Sequence, residues 1–406
     1  MNRQEREYLR GLAKKQLEYA NTPENKEREV KWYAHNDLKT NDPRVTMEIE
    51  GNFYGEVKRP LQCETQMARV IEEKLLINLI AREDVDDDRV TPDFYGVYRH
   101  AWFNPYGLEI KQTRQLDSLA YVYVHQIEDL EEDFHKLGKS TWGYDLEQPQ
   151  LEADIAADTI GDILPVRFLT RGPYGSLAFR LIGLMSMETM LLSLMDCPDL
   201  FHKAMDMLAT DLIEHLQDLE SSGFFLVNNR NQYVNMGTYA FTNELPSEPA
   251  LLKNTWGFLD AQECVGIGYD SFNTFFFPYY KRIADLFGRL NYGCCEQVHE
   301  LWDGCLSKLT NLRKVSISSW CDENFMGERL RGSKVIYHRK PSPLVVSSDK
   351  VFDEAKFKDH ITTTLKAAEG CYLEFSFRDV YSFQKEVRRG KRCVELVKQC
   401  ISEHWR

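Results

Sequence analysis

The chain has 406 residues, 43% of them hydrophobic and 28% charged, which suffices for one large elaborated domain or two ordinary ones with a sizeable core. A net charge of −13 works against a general role on nucleic acid, because phosphate binding needs a basic surface. No apolar run approaches the roughly 18 residues of a membrane span, and the charged start Met1-Asn-Arg-Gln-Glu-Arg-Glu7 does not read as a secretory signal, so the ten cysteines are expected as reduced thiols of a cytoplasmic protein.

Two polar helices open the chain. The first covers Glu5 to Tyr19; the second starts where Thr22 meets Pro23 and runs to about His35, with Val30 and Trp32 on a charged background. Residues 1–40 therefore read as a helical extension laid on the main body. Asn41-Asp-Pro43 turns, and Arg44 to Glu50 alternates like a strand. Met67, Val70, Ile71, Leu75 and Leu79 mark a helix. The acidic run Glu83 to Asp88 lacks the Gly turn of a cation-binding loop and reads as solvated. Residues 90–150 are irregular and rich in rings, among them Trp102, Phe103 and Trp142, and read as an insertion over a pocket.

Beyond residue 160 the pattern becomes regular. Ile163 to Leu169 and Phe224 to Asn228 read as buried strands separated by helices, the second of which carries Leu200, Ala204, Leu208 and Leu212 in one stripe. Strands over 289–293, 314–318, 334–338 and 371–377 then alternate with helices, and a helix from about Ser382 to Glu403 closes the chain. Such alternation predicts a parallel sheet covered by helices. With one more strand in 88–98 the count reaches that of a (β/α)8 TIM barrel. An open doubly wound sheet is the alternative, but no G-x-G-x-x-G follows a strand and no P-loop is present.

In such a barrel the functional groups sit at the C-terminal strand ends. Those ends offer Asn228, the run Cys294-Cys295-Glu296 with His299 behind it, His338-Arg339-Lys340, and Arg378-Asp379; Cys371 opens the last strand. Thiolates and a carboxylate suit Zn²⁺. Three readings of the cysteine pair stay open: small buried residues at a strand end, a metal site, or a nucleophile served by His299 or His338. Glu296 and Asp379 either orient ligands and move protons or pair with Lys340 and Arg378.

Four stretches carry a family resemblance: Gly172-Pro-Tyr-Gly-Ser-Leu-Ala178 through Leu184, Met195-Asp-Cys-Pro-Asp199, Tyr292-Gly-Cys-Cys-Glu296 and Arg378-Asp-Val380. Over about 160–406, and more faintly over 42–100, the chain resembles the uroporphyrinogen decarboxylase superfamily. The resemblance implies a (β/α)8 barrel over 41–406 and is nearest to the branch of corrinoid-linked zinc methyltransferases and O-demethylases. The decarboxylase's Arg-Gln-Ala-Gly-Arg-Tyr segment is not matched, since Glu50-Gly-Asn-Phe-Tyr54 stands there. The methyltransferases carry His-x-Cys and a later Cys; Cys371 stands at that interval from Cys294 and Cys295, with Tyr292 or Gly293 where the His would be.

What the resemblance implies is a methyltransferase acting on a small methylated donor, an aryl methyl ether being one candidate. As that branch implies, the methyl group would pass to a corrinoid held by a partner protein. Zinc held by Cys294, Cys295, Glu296 and Cys371 would polarise the donor. Glu296 and Asp379 would be catalytic, and Asn228 and Tyr292 would bind substrate. A homodimer is compatible with this reading. The alternatives are a metal-free decarboxylase of the porphyrinogen type and a non-catalytic barrel subunit.

Overall fold

The structure is a computed structural model that describes residues 1–49, 54–114 and 121–405. Six parallel strands form its main sheet: β1 (Arg44–Met47), β4 (Trp256–Leu259), β5 (Arg289–Tyr292), β6 (Leu312–Ile317), β7 (Ile336–Arg339) and β8 (Leu373–Phe377). Their order is β1-β8-β7-β6-β5-β4. Two more strands, β2 (Tyr95–Tyr98) and β3 (Val166–Leu169), pair in parallel with each other. Beyond β3 the chain reaches β4 through a bridge between Tyr174 and Phe258. The arrangement is barrel-like and the strands follow chain order, but no closed ladder is present among the described residues. The expected segment Glu50-Gly-Asn-Phe53 lies outside them.

The open seam falls between β1 and β2, and the acidic run explains it. Asp87 and Asp88 are not solvated: both are buried. Asp88 accepts the Val45 N–H at 2.8 Å, Asp87 accepts the Met47 N–H at 2.8 Å, and the Asp88 N–H donates to the Val45 carbonyl at 2.9 Å. Carboxylates thus stand where a neighbouring strand's carbonyls would, and the edge of β1 is satisfied without β2.

Helices α1 (Arg3–Ala20) and α2 (Pro23–Asn36) form the N-terminal stretch. Asn2 and Glu5 make a reciprocal capping box for α1, and Thr22 caps α2 ahead of Pro23. The last turn of α2 is buried: Trp32, His35 and Asn36 have no exposed surface. Asn36 donates to the carbonyls of Tyr239 and Phe241, and the Lys314 ammonium lies 5.2 Å from the Trp32 ring. The N-terminal stretch is therefore packed into the main body.

The segment from Phe224 to Asn228 is not a strand; Thr170 meets Leu226 through its hydroxyl in both directions at 3.1 Å instead. Beyond it, residues 233–238 enter the barrel lumen. Asn291 of β5 donates to the carbonyls of Val234 and Asn235, and Thr46 of β1 donates to that of Gly237. Gly237, at φ +84°, is required there, because a Cβ would stand 2.8 Å from that of Ser376. The ring-rich insertion forms two antiparallel hairpins, His100–Asn104 with Thr141–Asp145 and Lys111–Arg114 with Tyr121–Val124. The first packs on helix α3 (Pro198–Ser221): Phe103 stacks on Trp142, and both rings rest against His215. Those rings cover a helix rather than line a pocket.

Candidate functional site

At the C-terminal end of β5 the chain turns through Gly293 at φ +97°, a conformation that favours glycine, and releases both following thiols to one side. Cys294 and Cys295 are half-buried, with sulfurs 3.7 Å apart. Asp379, just beyond β8 and itself in the left-handed region at φ 56°, places Oδ2 3.9 Å from the Cys295 sulfur. Lys340, just beyond β7, donates to the carbonyl of Cys294 at 2.9 Å and of Gly293 at 3.4 Å. Strand ends β5, β7 and β8 thereby bring two thiols, a carboxylate and an ammonium to one mouth.

The two thiols differ. The Cys294 S–H donates to Cys295, which lowers the Cys295 thiol, and Lys340 acts in the same direction, while burial and Asp379 oppose it. Cys294 is pushed up, first by the same contact and then by burial. Cys295 is therefore the sulfur that ionises first.

Glu296 is turned inward. Its Oε1 accepts the Ala261 N–H at 3.0 Å and its Oε2 the Cys294 N–H at 2.6 Å, so it clamps the ends of β4 and β5 together. Cys371 is on the opposite rim. It precedes β8, bonds the carbonyl of Gly327 at 3.4 Å, and lines a concavity of about 930 Å³ with Arg313 and Lys334 at the N-terminal face. A five-residue strand separates it from the mouth, roughly 15 Å. Asn228 is no strand-end ligand: its amide exchanges two hydrogen bonds with the backbone of Trp256, at 3.0 and 2.8 Å, where β4 begins. Tyr292 points away from the lumen, since its neighbour Asn291 points into it, and it is buried in the main apolar core. His299 accepts the Asp322 N–H and leans on Phe325, and His338 lies in the lumen bonded to Ser376. Neither histidine serves a cysteine.

The expected zinc set is thus divided between two rims, and the oxygens of its carboxylate are taken by backbone N–H groups. Among the described residues no group of three His, Cys, Asp or Glu side chains is arranged to hold a metal ion. The residues as placed do not fit a zinc centre. The ion pairs expected at the mouth also differ: Arg378 pairs with Glu48 of the turn after β1, not with Asp379, and among the described residues Lys340 has no carboxylate partner.

One group of residues went unnoticed in the sequence. Asp260, Glu263 and Tyr174 lie beside Glu296 at the end of β4. Asp260 accepts from the Tyr174 hydroxyl at 2.9 Å. Burial, then the Glu296 charge, raises Asp260 to about 6; burial, then the Asp260 charge, raises Glu263 to about 7. The signal was the short apolar run Trp256-Gly-Phe-Leu259 ahead of Asp260, which reads as a strand once Phe224–Asn228 is discounted.

No protein-family profile and no curated protein sequence matches the chain. Among solved structures the chain is similar to a methyltransferase from Methanosarcina mazei, with a TM-score of 0.53 and 12% identity, over 93% of this chain and 99% of that one. The two share a fold. Among the described residues no helix is long and apolar enough to cross a membrane.

Proposed function

We propose that this protein is a methyltransferase that works at the C-terminal mouth, with Cys295 as the sulfur that takes the methyl group. The observation that carries the reading is the pair of half-buried thiols at the end of β5, one lowered by the other, on a fold shared with a methyltransferase. A thiolate is a strong nucleophile toward an sp³ carbon, and lowering the thiol raises the fraction present in that form. The Cys295 sulfur forms a bond to the methyl carbon while the bond from that carbon to the donor's oxygen breaks. The departing oxygen takes up a proton. Glu263, raised to about 7, is an acid at this end of the sheet that can supply it near neutral pH. The donor is a small methylated compound, and a corrinoid held by a partner protein is the onward acceptor; both extend the family resemblance of the sequence.

Reduced cobalamin and a methoxylated aromatic acid, incubated with the protein, test the reading through the change in the corrinoid spectrum. Methylcobalamin is expected with the natural sequence and about a hundredfold less with Cys295→Ser, in line with loss of a nucleophile. Equal rates in both proteins would remove Cys295 from the reaction. Mass analysis of the Cys295 peptide after a single turnover without corrinoid should show one added methyl group.

A further inference from the structure

Charged side chains are rarely buried in proteins without a partner of opposite sign. Among the described residues that are buried, one cation departs from the rule. The buried cations Arg28, Arg44, Arg313, Lys314, Arg339 and Arg389 each have a carboxylate oxygen within 4.0 Å. Lys340 is only 5% exposed and has none among the described residues. Two of its three N–H groups go to the carbonyls of Gly293 and Cys294, which are neutral acceptors. Among the described residues the third N–H has no acceptor, and the charge, at the mouth, is faced only through space by the thiol pair and Asp260. Arg180, half-buried and likewise without a carboxylate within 4.0 Å among the described residues, differs: it bonds the carbonyls of Ser176 and Tyr174 and lies between the rings of Phe103 and Tyr174.

We infer that Lys340 is a binding residue for an anionic group of the substrate, so that the mouth takes a small organic anion whose reactive carbon faces Cys295. A compact ammonium reads charge rather than the planar shape of the anion, and in a water-poor site the contact is stronger than at the surface. This deepens the methyl-transfer reading by naming the charge of the donor, but it can be tested whether or not the protein transfers methyl groups.

The test uses two alkylating probes with the same leaving group, iodoacetate and iodoacetamide. With either, the Cys295 thiolate forms a bond to the CH₂ carbon and iodide leaves; only iodoacetate carries a negative charge. Rates at Cys295 are followed by peptide mass mapping and divided by those of N-acetylcysteine. Iodoacetate is expected to be favoured over iodoacetamide by about tenfold, the worth of one charge-assisted hydrogen bond. Lys340→Met should abolish that preference and Lys340→Arg should keep most of it. Because the readout is a ratio within each protein, a general change in thiol reactivity cancels. If Lys340 serves only to ionise Cys295, Lys340→Met slows both probes equally and leaves the ratio unchanged. That outcome, or a natural-sequence ratio equal to that of the free thiol, overturns the inference.

Discussion

The site differs most from its sequence reading at the level of single side chains. Glu296 looked like a ligand because it follows two thiols, yet a carboxylate at a strand end is equally suited to accept N–H groups released by the ladder. Sequence spacing does not separate these uses; only the direction of the side chain does. The acids nearby carry a measurable consequence. Unfolded, Asp260 and Glu263 ionise at about pH 4, whereas folded they are raised to about 6 and about 7. Between those limits the folded state holds protons that the unfolded state has released, so these groups reduce stability as pH rises from 4 toward 7. Asp260→Asn should therefore gain on the natural sequence over that range, by up to about 3 kcal/mol, read from melting temperatures at a series of pH values. A pH-independent gap would contradict the raised acid. The thiol pair makes a second case. Cys294→Ala deletes the S–H that favours the Cys295 thiolate, so the pH midpoint of Cys295 alkylation by iodoacetamide should move upward. An unmoved midpoint would mean that Lys340 alone sets it.

Elements with a clear period were legible, and those built from short runs were not. The capped helices α1 and α2 and the strands near 314–318, 334–338 and 371–377 carry enough local signal to be found without a structure. The slot beside β3 is different. Phe224 to Val227 and Trp256 to Leu259 are both short apolar runs, and only the second enters the sheet, by pairing in parallel with β5, while Phe258 also bonds Pro173 and Gly175. Gly257 decides that placement. A Cβ there would stand 2.2 Å from the Phe287 ring, so β4 fits its slot only because this position lacks one. Nothing in the run itself announces a ring arriving from residue 287. Gly257→Ala should cost about 1–3 kcal/mol, the range for an overpacked core, in chemical denaturation. A neutral substitution would show that Phe287 can yield and that the close approach does not select the strand.

Across the whole molecule, the barrel-like parallel sheet keeps its two ends apart, and that separation set the limit of what the sequence discloses. The interval between Cys294 and Cys371 matched the resemblance, but a residue two places before β8 and one two places after β5 belong to opposite rims of a parallel sheet. The middle of the lumen is not apolar either. Lys314 of β6 and Glu374 of β8 meet there at 2.7 Å with no exposed surface, next to Thr238 of the inserted segment and the rings of Trp32 and Trp256. The pair ties together three parts of the chain far apart in sequence: the end of α2, the 233–238 segment and the sheet. Two charges in a closed lumen stabilise it only as a pair, because either alone bears its desolvation without return. Lys314→Met should cost about 3–5 kcal/mol by leaving Glu374 only the imidazoles of His35 and His338, at 3.5 and 3.9 Å, and Glu374→Met a similar amount. The double variant, with apolar side chains of comparable length facing each other, should be clearly more stable than the sum of the two losses implies, measured by urea unfolding of all four proteins. Strict additivity would mean that the two charges do not sense each other, and the polar lumen would then need another source of stability.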